Sequence, residues 1–271
     1  VVVAVHTAAP TRMTAVALAA YDAAISLCLH GLAGPAARTP LLNQAWSQLF
    51  PLLAARIAEK PQEVLGALSN AVVHLGGVSV EGPWEPILQA NIVGLHHLYE
   101  AARRQGTKRI VFASSNHVTG CYEQGRRTHP QEPARPDGNY GLSKLFGEGI
   151  ASLYWDRYGI ETVCLRIGTA TPEPPDRRGL STWLSLRDLA SLVRAALTAP
   201  DVGFLVAYGV SGNTRSWWDT QEAWARLGFV PQDDAEVHAA EVQHRVQPAD
   251  SPAARLQGGV FLDIGPFDDP L

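Results

Sequence analysis

The sequence predicts an α/β protein built on a doubly wound, parallel, Rossmann-type sheet with a small substrate lobe. Short apolar runs alternate with segments of helical periodicity, and the runs close on Gly, Ser or Asn. That alternation is what a parallel sheet with helices on both faces requires. Ala71-Val-Val-His-Leu75 reads as a buried strand closed by Gly76-Gly77. Pro86 to Gln105 reads as a helix, with Ile87, Leu88, Ile92, Leu95 and Leu98 on one face. Arg109-Ile-Val-Phe-Ala113 is the next strand and opens into Ser114-Ser115-Asn116-His117. A polar, Pro-rich loop leads to a helix from Tyr140 to Tyr158, then a strand over Thr162–Ile167. Ser185-Leu-Arg-Asp188 has the form of a capping box for a helix to Ala199, and Phe204–Tyr208 closes the series as a strand. The loops at 116–139, 168–184 and 210–271 are left to form the lobe. Ligands bind such sheets beyond the carboxyl ends of the strands.

Composition narrows the function. The 271 residues are 46% hydrophobic and 18% charged, which excludes a disordered or fibrous chain. Net charge is −4 and the basic residues form no run, so no nucleic-acid partner is expected. Cys28, Cys121 and Cys164 are too few and scattered for a disulfide framework or zinc site, and no metal is expected. No stretch of 18 apolar residues occurs, so no membrane span is expected. The Ala-rich opening lacks a basic segment and cleavage site, and the expected location is cytoplasmic.

The sharpest chemical signal is Tyr140-Gly-Leu-Ser-Lys144. Positions i and i+4 share a helix face, so an ammonium can approach the phenol and lower its pKa toward that of a usable base. Chance gives one such spacing about 8% of the time at this composition, and an exposed Tyr and Lys would look the same. Ser115, at the end of the preceding strand, changes the weighing: hydroxyl, phenol and ammonium together form a hydride-transfer constellation.

These residues resemble the extended short-chain dehydrogenase/reductases, the NAD-dependent epimerase/dehydratase family. His74–Glu81, Ala113–His117, Arg135–Gly138, Arg166–Pro174, Leu180–Trp183, Trp217–Asp219 and Gln257–Phe261 resemble, in order, its bacterial uronate dehydrogenase branch over about residues 62–271. The resemblance implies oxidation of the C1 hydroxyl of a cyclic hexuronate, galacturonate or glucuronate, to an aldaro-lactone, with NAD as acceptor. It implies Tyr140 as base, Ser115 as orienting hydroxyl and Lys144 as holder of the nicotinamide ribose. Leu75, Gly76, Gly77, Asn91 and Ile167 would line the cofactor. Ser79, Asn116, His117, Thr169 and Arg178 would meet the sugar, the Arg178 fork matching its carboxylate. A homo-oligomer is also implied, with Gln257–Leu262 able to reach a neighbour.

Plainer readings stand beside these. His117 could be a satisfied loop histidine, Arg178 or Arg177 could pair with Asp176 in solvent, Ser79 could cap a turn, and Asn91 could be a polar helix-face residue. His96-His97 do not face one another on a helix and make a poor ligand pair; Trp217-Trp218 fit packing beneath the substrate loop. A nucleotide-sugar epimerase or dehydratase is the neighbouring alternative, but a dehydratase calls for an acid beside Ser115, where Asn116 stands.

Residues 1–60 match nothing in this pattern, although one domain over 1–271 is expected, with 61–271 its enzyme body. Only seven charged residues and three of the 24 glycines lie in the first 70 positions. Val1–Val5 could be the first strand, but no glycine-rich loop follows, and Gly31 and Gly34 precede Pro35, which lacks an amide proton. The first βαβ unit is therefore not legible, and we read the segment as a shifted frame or foreign splice. The other frames of the coding DNA should reveal a glycine-rich loop; its absence from both sinks that reading. A relative that keeps the pocket and binds no NAD is the alternative from another class. Pyrophosphate rests on free amides at a helix start. Without them, NAD affinity should fall by several powers of ten, each about 1.4 kcal/mol. Calorimetry returning a micromolar Kd would overturn this.

Overall fold

The computed structural model describes residues 2–4 and 71–267. Strand β1 (Val2–Ala4) is followed in the described chain by β2 (Ala71–His74), β3 (Arg109–Ser115), β4 (Glu161–Ile167) and β7 (Phe204–Gly209). They form one sheet in the order β1-β2-β3-β4-β7. From β2 onward every pairing is parallel, with Ser115 opposite Ile167 and Ile167 opposite Gly209. The carboxyl ends therefore align at one edge, and the catalytic candidates sit there.

Alternation along the strands splits the core into two layers. Val72, Ile110, Phe112 and Cys164 face α2 (Gly94–Gln105) and α3 (Asn139–Tyr158), meeting Leu95, Tyr99, Ile150 and Tyr154. Val73, Val111, Val163 and Leu165 face the opposite way, toward Leu189 and Leu192 of α5 (Leu186–Thr198) and Leu227 of α6 (Gln221–Leu227). Strands covered on both faces read as continuous apolar runs, which is why they were legible. The lobe adds β5 (Thr169–Ala170), α4 (Gly179–Thr182), β6 (Trp183–Leu184), α7 (Ala239–Val242) and α8 (Pro252–Arg255), β5 and β6 pairing in parallel. No helix among the described residues is long and apolar enough to cross a membrane.

Three expectations need correction. The Val1–Val5 run is described only at Val2–Ala4, where β1 lies antiparallel on β2, Val3 opposite Val73. A parallel neighbour must be delivered by a crossover, whereas antiparallel pairing needs only backbone complementarity. The expected glycine-free loop and the rest of the segment to residue 60 lie outside the described residues. The helix expected from Pro86 starts at α1 (Trp84–Ile87) and passes through a π-helical turn, Leu88–Val93, into α2. Apolar spacing cannot show one extra residue per turn. The capping box at Ser185 is half made. Ser185 Oγ accepts from Asp188 N at 3.0 Å, but the Asp188 carboxylate turns away to accept from Gln232 N and Asp233 N at 2.8 and 3.1 Å. The Ser185 amide instead donates to Ser211 Oγ at 3.0 Å.

Candidate active site

Helix α3 carries Tyr140 and Lys144, both buried, and its placement is fixed from outside the helix. Gly138 at its start offers no side-chain cap. Glu81, buried in the loop after β2, supplies the anion instead, accepting from Asn139 N at 3.0 Å and Tyr140 N at 2.9 Å. A carboxylate is favoured on helix-start amides. One turn past Lys144, Glu148 accepts from Ser114 Oγ at 2.6 Å and from Arg166 Nε and Nη2 at 2.9 and 2.8 Å. The helix is thus tied to the residue preceding Ser115.

Asn91 sits in the π-turn and joins the loop after β2 to α3. Its Oδ1 accepts from Val78 N at 2.8 Å, while Nδ2 donates to Val78 O and to Ser143 Oγ, each at 2.9 Å. Gly77 reaches φ 129, a conformation that favours glycine, and a Cβ there would strike Asn91 Oδ1. The π-turn and this contact belong together, since extra-residue turns re-aim side chains at functional sites. Leu75 and Gly76 leave the end of β2 directly. Ser79 is exposed, and no hydrogen bond among the described residues ties it to the other candidates.

Ser115 Oγ accepts from His117 N at 3.2 Å and lies near enough to the Tyr140 phenol to act on its pKa. Burial pushes that phenol up to about 12; the Ser115 hydroxyl pulls it down, and nearby Asp137 raises it further. The lowering expected from Lys144 is not among these effects, and burial sets the direction. Burial also brings the Lys144 ammonium down to about 8. Its Nζ lies 5.4 Å from the Tyr140 ring centre and 5.2 Å from that of Phe112, with no hydrogen-bond acceptor among the described residues. A buried ammonium without an acceptor suits a ligand that brings oxygens, as the ribose of a dinucleotide does. The nicotinamide end of NAD fits this chain.

Arg178, half-buried, completes the pocket. Its Nε donates to Gln257 O at 2.8 Å and Nη1 to Thr169 Oγ1 at 3.3 Å. Asn116, with its amide turned to satisfy both neighbours, accepts from Arg178 Nη2 at 3.0 Å and donates to Ile167 O at 2.9 Å. Asp176 binds Gly179 N at 2.8 Å and forms no ion pair with Arg178 among the described residues. Of the five guanidinium protons these bonds use three, leaving one on each terminal nitrogen. The structure thus brings Asn116, Thr169, Ile167 and Arg178 together.

Four residues in the site escaped sequence reasoning: Glu81, Asp137, Gln257 and Phe261. Asp137 Oδ2 lies 2.6 Å from His117 Nδ1, and Phe261 stacks on the His117 ring with centres 3.9 Å apart. Gln257, fully buried, donates through Nε2 to Glu123 O, Arg126 O and Thr128 Oγ1 and accepts from Trp218 Nε1 at 2.8 Å. All four lie in short motifs noted in the sequence, but no spacing rule assigns partners across such distances. Trp218 stacks on Tyr208 at 4.8 Å beneath this tail, while His96 and His97 are exposed.

The buried Lys144 carries a stability cost. Its folded pKa lies below the unfolded value of 10.5, so the folded state is penalised at pH below about 8, and the penalty fades as pH rises toward 10.5. Lys144→Met should therefore abolish activity yet stabilise the chain by about 1–3 kcal/mol at pH 7, with little gain at pH 10.5. Urea unfolding at the two pH values checks this; a loss of stability at pH 7 would refute it.

Comparison with known proteins agrees with this geometry. The profile of the NAD dependent epimerase/dehydratase family matches residues 54–173. A uronate dehydrogenase of Pseudomonas syringae pv. tomato is 55% identical over 201 residues, 74% of this chain and 73% of the relative. Among solved structures, a glucuronic acid dehydrogenase from Chromohalobacter salexigens superposes with a TM-score of 0.68 at 51% identity, covering 71% of this chain and 73% of the other. A mutant uronate dehydrogenase from Agrobacterium tumefaciens, complexed with NAD, superposes with a TM-score of 0.71 at 46% identity, covering 76% and 79%. The chain belongs to the NAD-dependent epimerase/dehydratase family, within its uronate dehydrogenase branch.

Proposed function

We propose that this chain oxidises the C1 hydroxyl of a cyclic hexuronate to an aldaro-lactone. The observation that carries the reading is Arg178. A half-buried guanidinium is held by three neutral acceptors, with no ion pair among the described residues and one proton left on each terminal nitrogen of the fork, although Asp176 and Asp137 act on its charge from farther off. A carboxylate fills such a fork with two parallel bonds. Through Asn116 it stands one residue from Ser115, as a sugar bearing an acid at one end and reacting at the other requires.

Tyr140 Oη takes the proton of the C1 hydroxyl, which Ser115 Oγ orients. The Ser115 hydroxyl and the Lys144 ammonium are the groups of this chain that favour the phenolate. NAD, when bound, supplies the hydride acceptor. Lys144 would hold its ribose, with Leu75, Gly76, Gly77, Asn91 and Ile167 lining that side. Asn116, His117, Thr169 and Ser79 would meet the sugar, as Arg178 meets its carboxylate. We further infer one domain over 1–271 from the chain's length, a cytoplasmic location from its few scattered cysteines, and a homo-oligomer from the resemblance.

Tyr140→Phe should lower kcat about 100- to 10,000-fold with folding intact, because only the ionisable oxygen is lost. Near-normal turnover would remove Tyr140 from the base role. Arg178→Lys keeps the charge and loses the planar fork. Its kcat/KM should drop about 10- to 100-fold for uronates and far less for the matching neutral aldoses. Steady-state assays at saturating NAD compare the two, and equal losses on both would mean that Arg178 does not read the carboxylate.

A further inference from the structure

Apart from raising the Tyr140 phenol's pKa, Asp137 has no part in the chemistry described so far. Its side chain is fully buried, one oxygen lies 2.6 Å from His117 Nδ1, and the other, Oδ1, has no hydrogen-bond partner among the described residues. A buried carboxylate with an unsatisfied oxygen is costly and calls for a reason. The chain also clears space for it. A Cβ at Gly120 or Gly258 would overlap Oδ2, and one at Gly141 would crowd Oδ1. Those glycines come from the loop after β3, the C-terminal segment and α3. Phe261 stacks on the imidazole at an interplanar angle of 11°, and the Tyr140 ring meets it edge-on at 5.6 Å. With Nδ1 engaged and the ring plane fixed, Nε2 is the imidazole atom left to interact, and no hydrogen bond occupies it among the described residues.

We propose that Asp137 is a positioning residue that holds the proton on His117 Nδ1, so that Nε2 meets the substrate as a hydrogen-bond acceptor. This rests on the uronate reading, in which Asn116 and His117 bond to sugar hydroxyls. Asn116 has spent its oxygen on Arg178 and one N–H on Ile167 O, leaving one N–H to donate. A hydroxyl that accepts from this N–H still has its own proton to place. A lone pair on Nε2 takes it. A proton on Nε2 would set two donors against one hydroxyl and leave the hydroxyl proton unpaired. Asp137 thus makes Asn116 and His117 a donor–acceptor pair that selects a hydroxyl over a carbonyl or a hydrogen at that carbon, as an oriented second carboxylate fixes the tautomer of a metal-binding histidine.

The test uses the full chain labelled with 15N-histidine at pH 8, the His117 signals being assigned by their loss in His117→Ala. Wild type should show a protonated Nδ1 and an unprotonated Nε2. In Asp137→Asn the carboxamide can donate to Nδ1, so the proton should move to Nε2. KM for uronate should then rise about 10- to 100-fold with kcat changed only a few-fold, and thermal stability should fall little. A wild-type proton on Nε2 would overturn the proposal, as would an Asp137→Asn variant that loses stability while keeping its tautomer and KM. An unchanged KM in His117→Ala would sink the underlying reading of the pocket. A raised KM there, beside a normal Asp137→Asn, sinks the role of Asp137 alone.

Discussion

The buried ion pair between Glu148 and Arg166 is the constraint on which the site depends. Both side chains are almost wholly enclosed, and Ser114 Oγ shares the carboxylate. Two charges taken from water return little net stability, and hydrophobic residues could hold a helix to a sheet as well. What the pair supplies is direction. Glu148 lies on α3 one turn from Lys144, Ser114 on β3 one residue before Ser115, and Arg166 on β4 one residue before Ile167. A slip of the helix would break bidentate geometry, which tolerates less displacement than apolar contact does.

From this pair a polar path runs into the lobe. The Arg166 guanidinium lies over the Tyr208 ring at 5.6 Å, and Tyr208 Oη meets Thr119 Oγ1 at 2.9 Å. Tyr208 stacks on Trp218, Trp218 donates to Gln257, and the Gln257 carbonyl holds Arg178. Helix α3, which carries Tyr140, and Arg178 are thereby referred to one frame. Such networks are worth most when every member is satisfied; Gln257 uses its whole amide, whereas Arg166 Nη1 is buried without a hydrogen-bond partner among the described residues.

Much of this was legible in advance, for a physical reason. Strands such as Ile110–Ala113 are buried on both faces, and Tyr140 and Lys144 sit one turn apart on a helix, so local spacing reports them. Glu81 capping α3, Asp137 meeting His117 and Gln257 beneath Arg178 are partnerships closed by the tertiary fold, and no local period encodes them. The π-turn at Leu88–Val93 is not legible because an apolar pattern does not report which backbone hydrogen bonds a turn makes. Spacing reveals the charge beside Tyr140 and says nothing of the burial that raises its pKa.

The pocket gathers its parts from widely separated stretches: Ser115 to His117, then Tyr140 and Lys144, then Arg178, and finally Gln257 to Phe261. A ribosome releases these in that order, and chains begin to fold as they emerge. Tyr140 and Ser115 can meet early, while the loop carrying Arg178 waits for the Gln257 carbonyl to arrive. For that interval the proposed base would be in place and the proposed carboxylate clamp unanchored. The placement of Arg178 is thus coupled to the late docking of a single segment.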